Sequence, residues 1–492
     1  MIRHKRFAVK LICFCFVLFI LVYKINCILI PKFYFNSLFP TTSGYKGFYQ
    51  MKDNSIDVLF LGSSHAMSAF IPQEVYNSYG IRSYNLSCDA QNFLITYYWL
   101  KEALRFQSPQ VVVIDTYMLY EYAHLEPLNT GEEYTRKAIE SMKWSPVKWQ
   151  AIHDIANHDE RQTVNSYIFP NIRFHTRWKS LEEQDFRYSE IERHYELKGY
   201  APLNAKSNYT DYAPFGDCEA EICKAMVPLM EEYLNRINDL CKENEIQLML
   251  VKTPTTAWDY EEHNALCNYA INNDIYFCDF NDKEIYDACE FNFPEDMSDV
   301  GHVNIWGAKK ISTYISELLA NRYSIGGGEY YEQWSETDQY YQNVVKDCEL
   351  EYITDFYEYM DAINQERYTI FIAVNHDATR FMTDKSRAKF RENLGIDLDI
   401  DQYDSFYAVI NDHDITQAHS QNALAYYGSI RDNLVDFAIT SAGFEAGDSC
   451  SIKINNVEYC KNQEGINIVV YSNDTWKIVD SVVYDYDGII HR

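Results

Sequence analysis

Two short motifs, far apart in the chain, hold side chains that together could cleave an ester. Ser64 follows the apolar run 57–61 through Gly62, so it stands where a strand is predicted to turn into a helix. A glycine permits the tight turn that exposes a serine at the edge of a sheet. Asp299 and His302 have two residues between them, in a turn before an amphipathic helix. This set predicts acyl chemistry in which Ser64 attacks, His302 acts as the base, and Asp299 orients the imidazole.

The segments around these motifs alternate between strands and helices. Short apolar runs predict buried strands, and apolar residues at helical spacing predict the helices between them. Strands are predicted at residues 57–61, 83–86, 110–115, 247–251 and 275–278. Such alternation is typical of an α/β fold with a parallel sheet covered on both faces, whose active sites lie at the carboxyl ends of the strands. Residues 120–220 break the pattern and are interpreted as an insertion.

The paired motifs resemble those of the SGNH/GDSL hydrolase superfamily. The resemblance lies in Gly62-Ser63-Ser64-His65 and Asp299-Val-Gly-His302, and it covers roughly residues 56–323. The G-S-S-H form and the run from His302 to Gly307 are especially similar to a branch of cell-envelope proteins that act on teichoic acids or O-acetylated exopolysaccharides. The resemblance implies a three-layer, doubly wound parallel sheet and an acyl-enzyme formed on Ser64.

Two blocks of this sequence depart from the family pattern. The resemblance implies an oxyanion hole built from the backbone amides of Ser64 and Ala90, where the family has a glycine. The family also places an asparagine after the third strand, but this chain has Asp115-Thr116-Tyr117, so the third oxyanion donor is not assigned. Loss of one such donor typically costs about 100- to 1,000-fold in rate. An inactive scaffold that binds glycans or assists envelope assembly is therefore kept as the alternative function.

Four further residues are candidates for contacting the substrate. His65 adjoins the nucleophile, and Asn304 lies two residues after His302. Arg177 and Trp178, in the insertion, could grip an anionic or glycan chain by charge and stacking, although packing at the surface explains them equally well. No metal or cofactor site is predicted, because the Asp397-x-Asp-x-Asp401 run lacks the glycine and glutamate of a calcium loop.

The C-terminal part of the chain predicts a second, β-rich, sandwich-like domain over residues 366–492. Its apolar runs alternate with turn residues, with one helix expected near residues 385–394. Ile439-Thr-Ser-Ala-Gly443 and Gly465-Ile-Asn-Ile-Val-Val470 resemble the interleukin-like EMT-inducer domain, a module linked to glycan recognition in some proteins. Residues 324–365 are interpreted as a linker. Cys450 and Cys460 flank an expected hairpin turn and suggest a disulfide.

Charge and the N-terminus limit where the protein acts. A formal net charge of −29 argues against nucleic acid as a partner, because the phosphate backbone would be repelled. Basic residues at positions 3–6 precede the apolar run 7–23, which predicts a transmembrane signal-anchor over residues 1–24 with the body outside the cytoplasm. A cleaved signal peptide is the competing interpretation. Residues 25–55 would then be a linker.

Together these observations predict a membrane-anchored, extracytoplasmic serine esterase or O-acyltransferase. Its substrate would be a cell-envelope or secreted polysaccharide, and the acyl group would go to water or to a sugar hydroxyl. A separate membrane protein that delivers the acyl donor is an expected partner, as for the envelope acyltransferases that the chain resembles.

Overall fold

The computed structural model of the protein describes residues 2–30, 41–181, 185–186, 196–216, 222–327, 331–380, 382–412, 414–485 and 489–492. The remaining parts of the predicted linkers and of the insertion lie outside the described residues. The chain forms two compact units, Met1–Asp338 and Gln339–Arg492.

A five-stranded parallel sheet lies at the centre of the first unit, in the order β2-β1-β3-β4-β5. Each strand falls on one of the apolar runs that predicted it: β1 (Val58–Leu61), β2 (Ser83–Asn85), β3 (Val111–Asp115), β4 (Gln247–Lys252) and β5 (Tyr276–Asp279). The chain pairs β2 on one side of β1 and then crosses to β3 on the other side. The carboxyl ends of β1 and β3 therefore flank a topological switch point, the usual site location in such sheets.

Helices cover both faces of this sheet. Those of the first unit are α1 (Ile2–Leu29), α2 (Thr41–Phe48), α3 (Ser64–Ala69), α4 (Pro72–Tyr79), α5 (Phe93–Ala103), α6 (Glu132–Ser141), α7 (Pro146–His158), α8 (Val164–Ile168), α9 (Asn171–Phe174), α10 (Pro228–Glu243), α11 (Tyr260–Asn273), α12 (Lys283–Ala288), α13 (Phe293–Asp296) and α14 (Ile305–Tyr323). One face of the sheet shares a core with α2, α5, α6, α7, α10 and α11. On the other face Phe60 of β1 stacks on Phe70 at 4.7 Å, and α14 packs against α3 and α4.

Part of the segment predicted as a linker belongs to the core. Helix α2 places Tyr45 and Phe48 almost wholly out of solvent, and the Tyr45 ring stacks on Trp99 of α5 at a centroid distance of 4.0 Å. The short run 41–48 has too few apolar residues to be recognised as a helix by periodicity. Its two aromatic rings are instead ordered by the apolar surface of α5.

Helix α1 is long and apolar enough to cross a membrane. Its Arg6–Leu29 stretch has a mean hydropathy of 2.5, and the helix continues beyond residue 24, where the anchor was predicted to end. By length and composition alone it fits a membrane span or a signal sequence.

The second unit is β-rich. Its strands are β6 (Tyr368–His376), β7 (Ser405–Asn411), β8 (Asp414–Ser420), β9 (Leu424–Ile430), β10 (Val435–Gly443), β11 (Ser449–Ile454), β12 (Val457–Glu458), β13 (Gly465–Ser472), β14 (Lys477–Tyr484) and β15 (Ile490–His491). Its helices are α16 (Phe356–Ile363) and α17 (Asp384–Leu394), and the boundary between the units falls within α15 (Glu332–Leu350). Strand β6 pairs with β13 along one edge, and along the other with β7 and then β10.

Two cores fill the second unit, one on each face of β6. Alternate residues Ile370, Ile372 and Val374 pack with α16 and α17, whereas Phe371 and Ala373 face side chains of β10 and β11. The expected helix near residue 385 is α17. Strands β8 and β9 were not predicted from the sequence. Most of the β8 side chains are exposed, so the strand lacks the alternating apolar pattern of a half-buried strand.

Cys450 and Cys460 are neighbours in the second unit. Both are free thiols in this structure, with their sulfur atoms 3.0 Å apart. We expect protein taken from an oxidising compartment to carry a Cys450–Cys460 disulfide, which would stabilise the unit by roughly 2–3 kcal/mol. Mass spectrometry of non-reduced peptides measures the link, with the buried Cys241 thiol as the internal control that remains reduced. Alkylation of both Cys450 and Cys460 without prior reduction would contradict the expectation.

Candidate functional site

The turn after β1 fixes the position of Ser64. Gly62 adopts a φ of +153°, and a Cβ added there would lie 2.8 Å from the Cβ of Asp115 and 2.9 Å from that of Ala66. Ser63 is the N-cap of α3, because its hydroxyl oxygen accepts the His65 amide at 3.3 Å. The turn therefore needs a residue without a side chain at position 62, and it begins α3 with Ser64 at its first residue.

Ser64, His302 and Asp299 lie in one hydrogen-bonded line. The Ser64 Oγ is 2.8 Å from the His302 Nε2, although the two residues are 238 positions apart. The His302 Nδ1 is 2.9 Å from the Asp299 Oδ2 and 3.1 Å from Oδ1. With a proton on Nδ1, the imidazole donates to the carboxylate and its Nε2 can accept the proton of the Ser64 hydroxyl. This is the relative placement that a nucleophile, a general base and an orienting acid require.

The loop that carries Asp299 and His302 is held from several sides. An isolated antiparallel bridge, Met297↔Val303, closes it, and the Thr256 amide from the loop after β4 donates to the Val300 carbonyl at 3.0 Å. Two residues from Asp299, the Gly301 amide donates to its Oδ1 at 2.7 Å. These contacts fix the loop before any substrate binds, so little reorganisation is needed.

The Asp299 carboxyl is kept ionised. Partial burial raises its pKa, but hydrogen bonds and attraction from the His302 ring, together with the backbone amides of Gly301 and His302, outweigh burial and lower the pKa to about 2. Asp299 therefore stays negatively charged throughout the neutral range. In that state it stabilises a positive charge on His302.

Among the residues that the structure describes, the two backbone amides proposed for an oxyanion hole have no hydrogen-bond acceptor. Neither Ser64 N–H nor Ala90 N–H donates to any residue in the described part of the chain. Ala90 adopts a φ of +46°, a left-handed conformation that costs an alanine roughly 1–2 kcal/mol. The Cys88 amide in the same loop donates to the Gly62 carbonyl at 3.3 Å, which places this loop beside the nucleophile turn.

Asp115 occupies the place where the family pattern has an asparagine, and it faces the protein interior. Its carboxylate accepts the Ser63 hydroxyl at 3.2 Å and the Tyr117 amide at 3.4 Å. Burial raises the pKa of Asp115, and the positive charge of Lys252 partly offsets the rise. Asp115 thus supports the nucleophile turn from behind through Ser63.

The side-chain amino group of Lys252 is fully buried close to this site. Its Nζ finds no hydrogen-bond partner among the described residues and lies 4.6 Å from the ring centroid of Tyr117 and 5.2 Å from that of Trp258. Aromatic faces attract a cation, and this attraction is stronger away from water. Burial lowers the pKa of Lys252, and the nearby Asp115 and Asp279 carboxylates counteract that effect.

His65 lies between the triad and this buried charge. Its ring stacks on Tyr117 at 3.6 Å, and its centroid is 4.8 Å from that of His302. Its Nδ1 is 3.3 Å from the Thr253 hydroxyl oxygen. Burial, then Lys252, then His302 lower the pKa of His65, so the ring is neutral at neutral pH.

Removal of the Lys252 charge is expected to change the titration of His65. In Lys252→Met we expect the pKa of His65 to rise toward its ordinary value, because the contribution of Lys252 to its lowering is gone while burial remains. Histidine ¹³C NMR measures this, with His65→Gln to assign the signal. Lys148→Met is the matched control, since Lys148 is another buried lysine, on α7, whose ammonium donates to the Glu140 and Met142 carbonyls. A His65 titration unchanged in Lys252→Met would contradict the assigned electrostatic effect.

The other residues predicted to contact substrate lie elsewhere or are already engaged. Asn304 is buried, caps α14 through the Trp306 and Gly307 amides, and donates to three backbone carbonyls. The structure therefore uses Asn304 to join the Asp299 loop to α14, leaving its amide engaged within the protein. Arg177 binds Asp185 and the Leu29 carbonyl at the end of α1, and Trp178 beside it is exposed. No described contact joins Arg177 or Trp178 to Ser64.

Sequence reasoning overlooked Lys252 and the role of Asp115. One signal was available, because each is a charged residue at the carboxyl end of a mostly apolar strand. A charged group at the carboxyl end of a buried parallel strand stands where such folds place their sites. Which charges face each other there depends on strand order, which the sequence pattern does not give.

The fold and the site together define a structural class. It is a parallel α/β sheet that carries a hydrogen-bonded serine–histidine–aspartate line at its topological switch point. No family model matches the chain, and no curated protein matches it. Among solved structures, it is similar to a protein of the lipolytic G-D-S-L family from Desulfitobacterium hafniense, with 11% identity, a TM-score of 0.29 and coverage of 54% of this chain and 100% of that one. A GDSL-like lipase from Bacteroides thetaiotaomicron is 11% identical, with a TM-score of 0.25 and coverage of 57% and 99%. At these TM-scores and identities, the similarity does not establish a shared fold or activity.

Proposed function

We propose that this protein is a membrane-anchored extracytoplasmic serine esterase or O-acyltransferase that acts on a cell-envelope or secreted polysaccharide. The observation that carries the proposal is the line from Ser64 Oγ through His302 to Asp299, with donor–acceptor distances of 2.8 and 2.9 Å. Hydrogen-bond reach between nucleophile and base is the first geometric requirement of such a site.

The proposed reaction uses these groups in two steps. Ser64 Oγ attacks the ester carbonyl carbon while His302 Nε2 takes the hydroxyl proton, and the oxyanion that forms is held by the Ser64 and Ala90 amides. The C–O bond to the leaving alcohol breaks, and His302 returns the proton to that alcohol. Water or a sugar hydroxyl then attacks the acyl-enzyme with His302 again as base, which releases the acid or a new ester and restores Ser64.

Several features support the choice of substrate and location. The G-S-S-H motif resembles the envelope branch of the superfamily, and α1 could anchor the chain to a membrane with the basic residues at positions 3–6 in the cytoplasm. His65, neutral and next to the nucleophile, is proposed to face the bound acyl group. A membrane acyl-donor transporter is the proposed partner if the reaction is a transfer.

The alternative function, an inactive scaffold that binds glycans, has one observation in its favour. Asp115 stands in place of the third oxyanion donor and points to Ser63. A carboxylate there cannot donate to an oxyanion, so catalysis would depend on two amides. The hydrogen-bonded line from Ser64 through His302 to Asp299 favours the enzyme over the scaffold.

Acetate release from an O-acetylated polysaccharide tests the proposal. The full chain in detergent micelles would be incubated with the polymer, with and without a second, unacetylated glycan as acceptor. We expect free acetate with water alone, or acetyl transfer when the acceptor glycan is present. A folded protein that neither cleaves p-nitrophenyl acetate nor reacts with a fluorophosphonate would contradict the proposal and favour the scaffold.

A further inference from the structure

The part of α1 that the rest of the protein leaves uncovered is as long as the hydrocarbon core of a lipid bilayer is thick. Every side chain from residue 6 to residue 25 is exposed, and burial begins at residue 26. A helix of this length measures about 30 Å. The hydrocarbon core of a bilayer is also about 30 Å thick. The protein therefore begins to cover the helix where the hydrocarbon would end.

The covering segment is a part of the insertion fastened to the last turn of α1. Phe174 of α9 packs on Leu29, and both side chains are more than nine-tenths buried. The Arg177 guanidinium donates to the Leu29 carbonyl at 2.7 Å, and its other nitrogen pairs with Asp185 at 2.8 Å. Since the last carbonyls of a helix lack partners within it, Arg177 serves as a C-terminal cap. The Arg177 side chain is therefore already paired, with the end of α1 and with Asp185.

The same segment presents large apolar side chains to the outside. Four of them, which we call the apolar ridge, are between 52% and 66% exposed: Phe169, Ile172, Trp178 and Phe186. Single exposed apolar residues are ordinary, but several within one short segment mark an interaction surface. The Lys179 ammonium lies 5.6 Å from the Trp178 ring. Tryptophan beside a long basic side chain is typical of the membrane–water interface.

We propose that the apolar ridge lies in the headgroup region of the bilayer that α1 crosses. The proposal rests on the proposed anchoring by α1. The segment that carries the ridge is attached to α1 at Leu29, which lies about 6 Å along the helix axis from residue 25. This distance places the attachment within the interfacial layer of the bilayer. A net charge of −29 opposes general attraction to anionic lipid, so the contact is made by apolar side chains rather than by charge.

Tryptophan quenching by brominated lipid tests the position of the ridge. The full chain would be placed in nanodiscs of phosphatidylcholine, with or without acyl chains brominated near the headgroup. Helix α1 contains no tryptophan, so quenching reports the rest of the protein. We expect a quenched component in the wild type that is reduced in Trp178→Phe.

Trp306→Phe is the matched control, because Trp306 is also partly exposed but lies on α14. We expect it to leave the quenched component unchanged. A chain that enters nanodiscs but is quenched equally in wild type and Trp178→Phe would overturn the interface proposal while leaving anchoring intact. A folded chain that does not enter nanodiscs would instead overturn the anchoring on which the proposal rests.

Discussion

Replacement of Ser64 by alanine is expected to lower ester cleavage by roughly 10⁶-fold, to the floor of most assays. Removal of the nucleophile in a serine triad costs about this much, because the remaining groups can no longer form the acyl-enzyme. Hydrolysis of p-nitrophenyl acetate by the full chain, wild type against Ser64→Ala, measures the loss. The same variant should not react with a fluorophosphonate, and mass spectrometry of the wild type should find the label on Ser64.

Ser63→Ala is the matched control for this experiment. It removes a neighbouring hydroxyl that caps α3 and donates to Asp115. We expect it to cost about 1 kcal/mol of stability, as loss of an N-cap does, and to retain labelling at Ser64. Labelling that persists in Ser64→Ala, or that disappears only in Ser63→Ala, would contradict the assignment of the nucleophile.

Replacement of Asp299 by asparagine is expected to lower kcat by about 10⁴-fold with little change in KM. The amide would no longer hold the His302 ring with a proton on Nδ1, nor stabilise its positive charge. Because the pKa of Asp299 is about 2, the wild-type carboxylate is charged above about pH 3. The loss in Asp299→Asn should therefore be seen in steady-state rates at neutral pH, where the wild-type carboxylate is fully ionised.

Asp282→Asn supplies the control for the charge change. Asp282 caps α12, a role that asparagine fills equally well, and the substitution removes one negative charge from the same unit. We expect its kcat to match the wild type. A kcat for Asp299→Asn within tenfold of the wild type would show that Asp299 does not orient the base.

The elements around the site were predictable because their signals are local. The run 110–115 reads as a buried strand from its valines alone, and the structure has β3 there. The turn at Gly62 and the Asp299–His302 spacing are equally local, since each involves fewer than five residues. In the second unit, the apolar runs that became β6, β7 and β13 were visible for the same reason.

Other features depend on neighbours that no short segment reveals. Helix α2 lies where the sequence predicts a linker. Its two buried rings are ordered by contact with α5, and no local pattern shows that contact. The sequence predicts that Asn304 contacts the substrate, whereas its side-chain oxygen caps α14 and its side-chain nitrogen donates to carbonyls that include the distant Ala205. For Arg177 the sequence leaves a glycan contact and surface packing equally open, and in the structure its guanidinium binds the end of α1 and Asp185.

The sequence by itself determined the types of element, the places where Ser64, Asp299 and His302 follow them, and the apolar helix at the N-terminus. These follow from local hydrophobic patterning and turn chemistry, which act within a few residues. The tertiary structure decided that Ser64 Oγ and His302 Nε2 meet at 2.8 Å, that Lys252 is buried near Asp115 and His65, and that the insertion caps α1. The first two arrangements depend on the order β2-β1-β3-β4-β5, because strand order brings residues distant in the chain to one sheet edge, where burial makes their charges interact strongly. The third depends on the packing of α9 against the last turn of α1.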